Sequence, residues 1–430
     1  MTGMPSTLPH VRHLACVVCG AHHAPDAVDY VCPDHGDDGI LDVVYDHERL
    51  ARRLSPATLA EDRDPSMWRY RALLPIAADA ATPPLRVGGT PLYATPRLAR
   101  EAGVRDLWVK DEGVQPTGSL KDRASALAVV KAAERGAQVV TTASTGNAAA
   151  ALAGVAASVG QPTVIFVPAT APQAKVAQLL AYGATVLLVD GTYDQAFELS
   201  TRVAEREGWY VRNTGFNPYM SEGKKTVAYE VAEQLGWRAP DVVVVPVGDG
   251  CIIGGVHKGF RDLVALGWLD RVPRLLGIQA AGSDYLAQAW ERGEDVRSKP
   301  PIVVSTVADS IAAGLPRDRV KAMRAVRETG GAFVRVDDDA ILAAIPALAR
   351  GCGVFAEPAA AAAYAGLRAA VAADLVAPDE RVVVLSTGTG LKDVPSAMRA
   401  VADAGSHPHH LPSDLGGASA ALEALGLVRP

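Results

Sequence analysis

Lys121 lies in QPTGSLKDRAS, just after the run LWVKDE and at the opening of a stretch with helical spacing. The first turn of a helix carries the positive end of its dipole, a position that disfavours an ammonium ion. An amine kept there has a lowered pKa, and a neutral amine is what a carbonyl-attacking nucleophile requires. A solvated surface lysine beside Asp122 and Arg123 is the competing explanation, and spacing alone does not separate the two. A second group with chemical potential is PVGDGCIIGGVHKGF, in which Gly248, Asp249, Gly250 and Cys251 stand between an apolar run and a helix-like one. Glycines there let backbone amides close around an anion, assisted by the helix dipole, so the loop is a candidate phosphate cradle. A tight turn without ligand would use glycines as well, and Asp249 adds a negative charge beside any anion. The loop lacks the G-x-x-x-x-G-K-[ST] pattern of nucleotide hydrolases, which argues against ATP.

Two further loops carry hydroxyls. STGN (Ser144 to Asn147) consists of good helix N-caps, and equally of groups that bind a carboxylate or an aromatic hydroxyl through exposed amides. STGTG, which includes Thr387, offers hydroxyls and no carboxylate. Near the start, Cys16, Cys19, Cys32 and His35 give C-x2-C-x12-C-x2-H, a spacing suited to four tetrahedral zinc ligands from two turns. Four such ligands leave no open position, so the expected zinc is structural. Buried or free thiol pairs are the alternative.

These loops need elements to hold them. QVVTTA, PTVIFVP, ATVLLVD, DVVVVPVG, RLLGIQA and RVVVLST have the apolar runs of strands, and Ala-rich segments with helical spacing alternate with them. Such alternation predicts an α/β protein with parallel sheets covered by helices on both faces. In such sheets ligands bind at the carboxyl ends of strands, and each loop named above falls at a strand-to-helix junction. The tail GSHPHHLPSDLGG reads as a linker before a short Leu/Ala helix.

With 430 residues, 49% apolar residues, 21% charged residues and a net charge of −6, the chain has the balance of an ordinary globular protein. Nucleic acid is not an expected partner. Neither an export signal nor an apolar span is visible, so a cytoplasmic protein without membrane partners is expected. The five cysteines, an odd number, do not form a disulfide framework.

PTGSLKDR, STGN and VPVGDG, in this order, resemble the fold type II pyridoxal-phosphate enzymes. The similarity to the threonine synthase family runs over nearly the whole chain, through NPYMSEGKKTVAYEVAEQLGW, EPAAAAAYAGL and STGTGLKD. The cysteine head with ILDVVYD after it is similar to one preceding many archaeal-type members. The resemblance implies two doubly wound parallel-sheet domains behind a zinc-ribbon-like head. The head would span 1–48, the larger, cofactor-binding domain 49–130 and 221–405, an inserted smaller domain 131–220, and a linker and tail 406–430. It also implies pyridoxal 5'-phosphate as cofactor, a small amino-acid substrate, carbon-oxygen lyase chemistry and a homodimer. Lys121 would link covalently to the cofactor aldehyde and, when freed by substrate, move the α-proton. Asn147 would bond the cofactor's ring hydroxyl, and the amides of Gly248, Asp249, Gly250 and Cys251 would hold its phosphate. Thr387 would face the pyridine nitrogen with a neutral hydroxyl, while Ser144 and Thr145 would contact substrate.

The resemblance breaks at NTGFNPYMSEGKKT. Met220 stands where the family places an arginine that helps hold the phosphate of O-phosphohomoserine, and Lys224 replaces a glutamine. Two enzyme readings follow. One is conversion of O-phosphohomoserine to threonine and phosphate, with Lys224 supplying a point charge. The other is elimination or replacement on a non-phosphorylated amino acid, as in serine or threonine dehydratases or diaminopropionate ammonia-lyases. Either way, Met220 and Lys224 are expected at the substrate.

Overall fold

The computed structural model describes residues 8–427 apart from Thr145 and Pro172 and the side chain of Ala174. The Cys/His head is an antiparallel sheet of β1 (Val11–Cys16), β2 (His22–His23) and β3 (Leu41–Tyr45), in the order β2-β1-β3. In β3 alternate residues are buried, so Leu41, Val43 and Tyr45 point inward, as the two-residue period of a half-buried strand requires.

After the head the chain lays down β4 (Leu92–Ala94) and β5 (Asp106–Asp111). It then builds a separate sheet from β6 (Val140–Ala143), β7 (Thr163–Pro168), β8 (Thr185–Val189) and β9 (Tyr210–Val211). It returns to the first sheet with β10 (Val242–Pro246), β11 (Arg274–Ala280), β12 (Ala332–Val336) and β13 (Arg381–Ser386). The larger sheet runs β12-β11-β10-β13-β5-β4 and the smaller β8-β7-β6-β9. All pairs in these two sheets are parallel except β4 with β5. That exception departs from the all-parallel expectation. Only one short helix, Pro96–Ala102, joins the two strands, too little chain for a parallel crossover.

The central strands are buried throughout: β10 reads VVVVP and β13 carries Val382, Val383, Val384 and Leu385, all at 1% exposure or less. This is the composition of strands covered on both faces. Alanine-rich helices supply the cover, among them Asn147–Ala157 and Pro358–Ala372. The tail does form a helix, Leu415–Ala424, and none of its residues is buried.

A buried ionic network ties the start of the helix Lys121–Glu134 to its surroundings. Arg123, with no exposure, donates to Glu112 at 2.7 Å and to Glu230 at 2.6 Å, and Lys110 reaches Glu230 at 2.8 Å. Two cations and two carboxylates balance, and Thr90, Gln115 and Thr226 fill further hydrogen-bonding positions. Arg123 and Lys110 hold Glu230 ionised, well below the usual carboxylate range, against a burial that opposes it. Polar contacts also dock the head: Tyr45 donates to Glu222 at 2.5 Å, Lys321 meets Asp42 at 2.7 Å, and Lys258 donates to the Val43 carbonyl at 2.6 Å. Replacing one member of a balanced buried network leaves an uncompensated charge. Glu230→Gln is therefore expected to lower unfolding stability by about 3–5 kcal/mol, and urea denaturation of the variant measures it.

Candidate active site

The cleft between the two sheets is a cavity of about 690 Å³. Lys121, Ser144, Asn147, Gly248, Asp249, Gly250, Cys251, Lys224 and Thr387 all line it, although they come from residues far apart in the chain. Thr145, expected beside Ser144, lies outside the described residues. Met220 does not line the cavity. It has no exposure and belongs to the main apolar core, where a thioether finds contacts that a cleft of amines and hydroxyls does not offer.

Each side chain is set by its junction. β10 ends at Pro246, and the helix Cys251–Ala265 starts at Cys251, with Gly250 as its N-cap at φ +92°. That left-handed backbone suits only glycine without strain. No described acceptor takes the amides of Gly248, Asp249, Gly250 or Cys251, so four donors at a helix N-terminus stand ready for an anion. Asp249 is turned away from such an anion: its carboxylate accepts from the Arg317 amide at 3.2 Å, and its carbonyl accepts from the Asp318 amide at 2.8 Å. Asn147 opens its helix and donates to Glu357 at 2.8 Å and to Ser310 at 3.2 Å. Thr387 follows β13, and its carbonyl accepts from the Leu120 amide at 3.0 Å, which ties that loop to the start of the Lys121 helix.

Lys121 is the first residue of its helix, as the sequence suggests, but its depressed pKa has a different main origin. Burial in the cleft comes first, followed by the positive charges of Lys224 and Arg212, and together they push the amine down to about 8. Asp122, in the same first turn, receives the Thr117 amide at 2.7 Å and lies where an acidic group offsets the dipole. Burial raises the Glu357 carboxyl to about 7, with Lys121 and the Asn147 amide opposing. The cleft thus holds an amine and a carboxyl that both titrate near neutrality, the tuning that proton-transfer chemistry needs.

Two lining residues escape the sequence reading. Arg212 follows β9 and is wholly buried; its only sequence signal is a cation at the end of an apolar strand. Glu357 stands before Pro358 at a helix start, where glutamate reads as an ordinary cap.

In the head, the ligand atoms of Cys16, Cys19, Cys32 and His35 lie within 4.8 Å of one another, and Cys32 Sγ is 3.8 Å from His35 Nδ1. Ligands at about 2.0–2.3 Å from a tetrahedral zinc are roughly 3.5–3.8 Å apart, so the donor set fits that geometry. Gly39 permits it: a Cβ there would come within 2.8 Å of the Cβ atoms of both Cys32 and His35.

The model of the pyridoxal-phosphate dependent enzymes matches residues 84–388. The chain belongs to that family. Within the family it is a threonine synthase-like lyase. It is 42% identical to the threonine synthase of Methanosarcina acetivorans over 89% of this chain and 92% of that one. Against the threonine synthase of Methanocaldococcus jannaschii the identity is 38%, covering 90% and 94%. The processed threonine deaminase isoform 2 of Solanum lycopersicum shares the fold, with a TM-score of 0.62 and 24% identity over 74% of this chain and 88% of that chain. The unclaimed amides, the depressed amine and the neutral Thr387 hydroxyl suit the phosphate, aldehyde and ring nitrogen of the family's cofactor.

Because the neutral amine is the reactive form, acylation of Lys121 in the cofactor-free protein should rise with pH, with a midpoint near 8. Lys224→Gln removes a repelling cation and should move that midpoint upward. Peptide mass mapping after brief acylation at stepped pH reads both.

Proposed function

We propose that the protein converts O-phosphohomoserine and water to threonine and phosphate, with pyridoxal 5'-phosphate held in the cleft. When bound, the cofactor supplies an electron sink for negative charge developing on the carbon skeleton of the amino acid. Lys121 would hold the cofactor through its aldehyde, and the Lys121 amine takes and returns the proton at the α-carbon; its pKa of about 8 matches that exchange. The amides of Gly248, Asp249, Gly250 and Cys251 would hold the cofactor phosphate, and Asn147 would bond the ring hydroxyl. Thr387 would offer the ring nitrogen a neutral hydroxyl. Ser144 and Thr145 would contact the substrate. The γ-carbon–oxygen bond breaks with phosphate taking the electron pair, a proton leaves the β-carbon and the γ-carbon gains one to become the methyl group, and water adds its hydroxyl at the β-carbon while its other proton goes to the phosphate.

The observation that carries this reading is the grouping of Lys121, the unclaimed amides, Asn147 and Thr387 around one cavity. The second reading, elimination from a non-phosphorylated amino acid, draws its support from Met220, which brings no charge to the cleft. Arg212 and Lys224 in the cavity wall favour the phosphorylated substrate. We take the domain limits as 1–48, then 49–130 with 221–405, then 131–220 and 406–430, in keeping with the membership of the sheets. The head is read as a structural zinc site, the protein as a cytoplasmic homodimer. No helix among the described residues is long and apolar enough to cross a membrane.

The assay is phosphate release from O-phosphohomoserine with threonine as coproduct. Lys121→Ala should lower turnover by at least about 10³-fold, and threonine formation without Lys121 would refute the role given to it. Release of ammonia and a 2-oxo acid from serine or threonine, with no action on the phosphoester, would favour the second reading. Elemental analysis should find one zinc per chain, lost in Cys32→Ser, together with a lower melting temperature; zinc-free wild type of unchanged melting temperature would remove the metal site.

A further inference from the structure

We propose that the Cys/His head positions the amide cradle. Through Arg319, Lys321 and Arg324 it holds the helix Arg319–Glu328, whose start braces Asp249 and Gly250, and so sets how tightly the cofactor's phosphate is bound. This rests on the function proposed above and assigns positioning residues to its cofactor site.

The cradle does not hold its own shape. No described acceptor fixes the amides of Gly248, Asp249, Gly250 or Cys251, and glycine backbone has more conformational freedom to lose than any other. Four amides converge on an anion only where other chain holds them, which is the preorganisation that tight binding requires. The segment leading into the helix Arg319–Glu328 does so. The Asp318 amide donates to the Asp249 carbonyl at 2.8 Å and the Arg317 amide to the Asp249 carboxylate at 3.2 Å. A Cβ on Gly248 would come 2.8 Å from Ile311 Cα, and one on Gly250 would come 2.8 Å from Ala322 Cβ and 2.9 Å from the Asp318 carbonyl oxygen. One turn further along the cradle helix, a Cβ on Gly254 would lie 3.1 Å from Lys321 Cβ.

The bracing helix begins against its own dipole. Its first turn contains Arg319 and Lys321, both buried, and no acid. Cations are disfavoured there, so that turn needs partners from elsewhere. The head supplies them. Asp38 pairs with Arg319, Asp42 meets Lys321 at 2.7 Å, and the Leu41 carbonyl accepts from Lys321 at 3.0 Å. Arg324 donates to the Val17 carbonyl at 3.0 Å and lies 3.6 Å from Asp42. Arg319 has further anchors in the carbonyls of Val296 and Pro316, whereas the hydrogen-bond and ion-pair partners of Lys321 among the described residues are all in the head. Asp42, Lys321 and Arg324 do not line the cleft, so they act on the cradle only through this helix.

Titration with pyridoxal 5'-phosphate and with pyridoxal, which has the ring and aldehyde but no phosphate, isolates the cradle. In Asp42→Asn and Arg324→Gln the affinity for the phosphorylated ligand should fall about fivefold or more while that for pyridoxal stays within about twofold, and Arg324→Lys should recover part of the loss. Equal losses for both ligands would show a generally loosened fold and overturn the inference, as would unchanged affinity for pyridoxal 5'-phosphate. If a variant fails to fold, the wild type decides, because coupling is reciprocal. Binding of pyridoxal 5'-phosphate, and not of pyridoxal, should slow amide hydrogen exchange in Leu41–Tyr45 and Arg319–Glu328. Exchange there that is indifferent to the phosphorylated ligand would also overturn the inference. A wild type that binds neither ligand would instead count against the function proposed above.

Discussion

Three cations of the cleft stand outside any ion pair among the described residues. Lys121, Arg212 and Lys224 share one cavity, and no described carboxylate pairs with any of them. Together with burial, the charges of Lys224 and Arg212 make the Lys121 amine easier to deprotonate. Pairing of each lysine or arginine with a nearby acid would have raised the amine's pKa and closed the anion sites.

The rest of the fold holds these groups in place. Four residues from Lys110 to Glu230 form a balanced network just behind the helix that presents Lys121. Parallel strands end at the cleft from both sheets, and their terminal loops bring backbone amides on one side and side-chain donors on the other. The head contributes at a distance. Tyr45 bonds Glu222, which lies in the same six-residue helix as Lys224, so the Cys/His head and the cleft are linked by a short buried path.

Much of this was legible from residue types. Strand-to-helix alternation gave both sheets, because a strand buried on two faces is apolar along its whole length. The glycine cluster at 248–250 and the lysine at a helix start are compatible with an anion cradle and an amine of altered acidity, but a tight turn and a surface lysine use the same residues, and only the resemblance to the family separates them. The Cys/His spacing indicated two knuckles, and their ligand atoms do converge.

What the chain could not reveal was decided by which side chains meet. Met220 sits in the family's arginine position, yet burial in the core removes it from the cleft, while Arg212, with no motif around it, enters the wall. Lys121 is disfavoured as a cation chiefly by desolvation and two distant-in-sequence neighbours, terms that exist only once the sheets have packed. Local order follows from backbone preferences and apolar periodicity, which act over a few residues. Charge balance in a cavity is a property of groups up to 236 positions apart, Lys121 and Glu357 among them, and only the tertiary structure sets it.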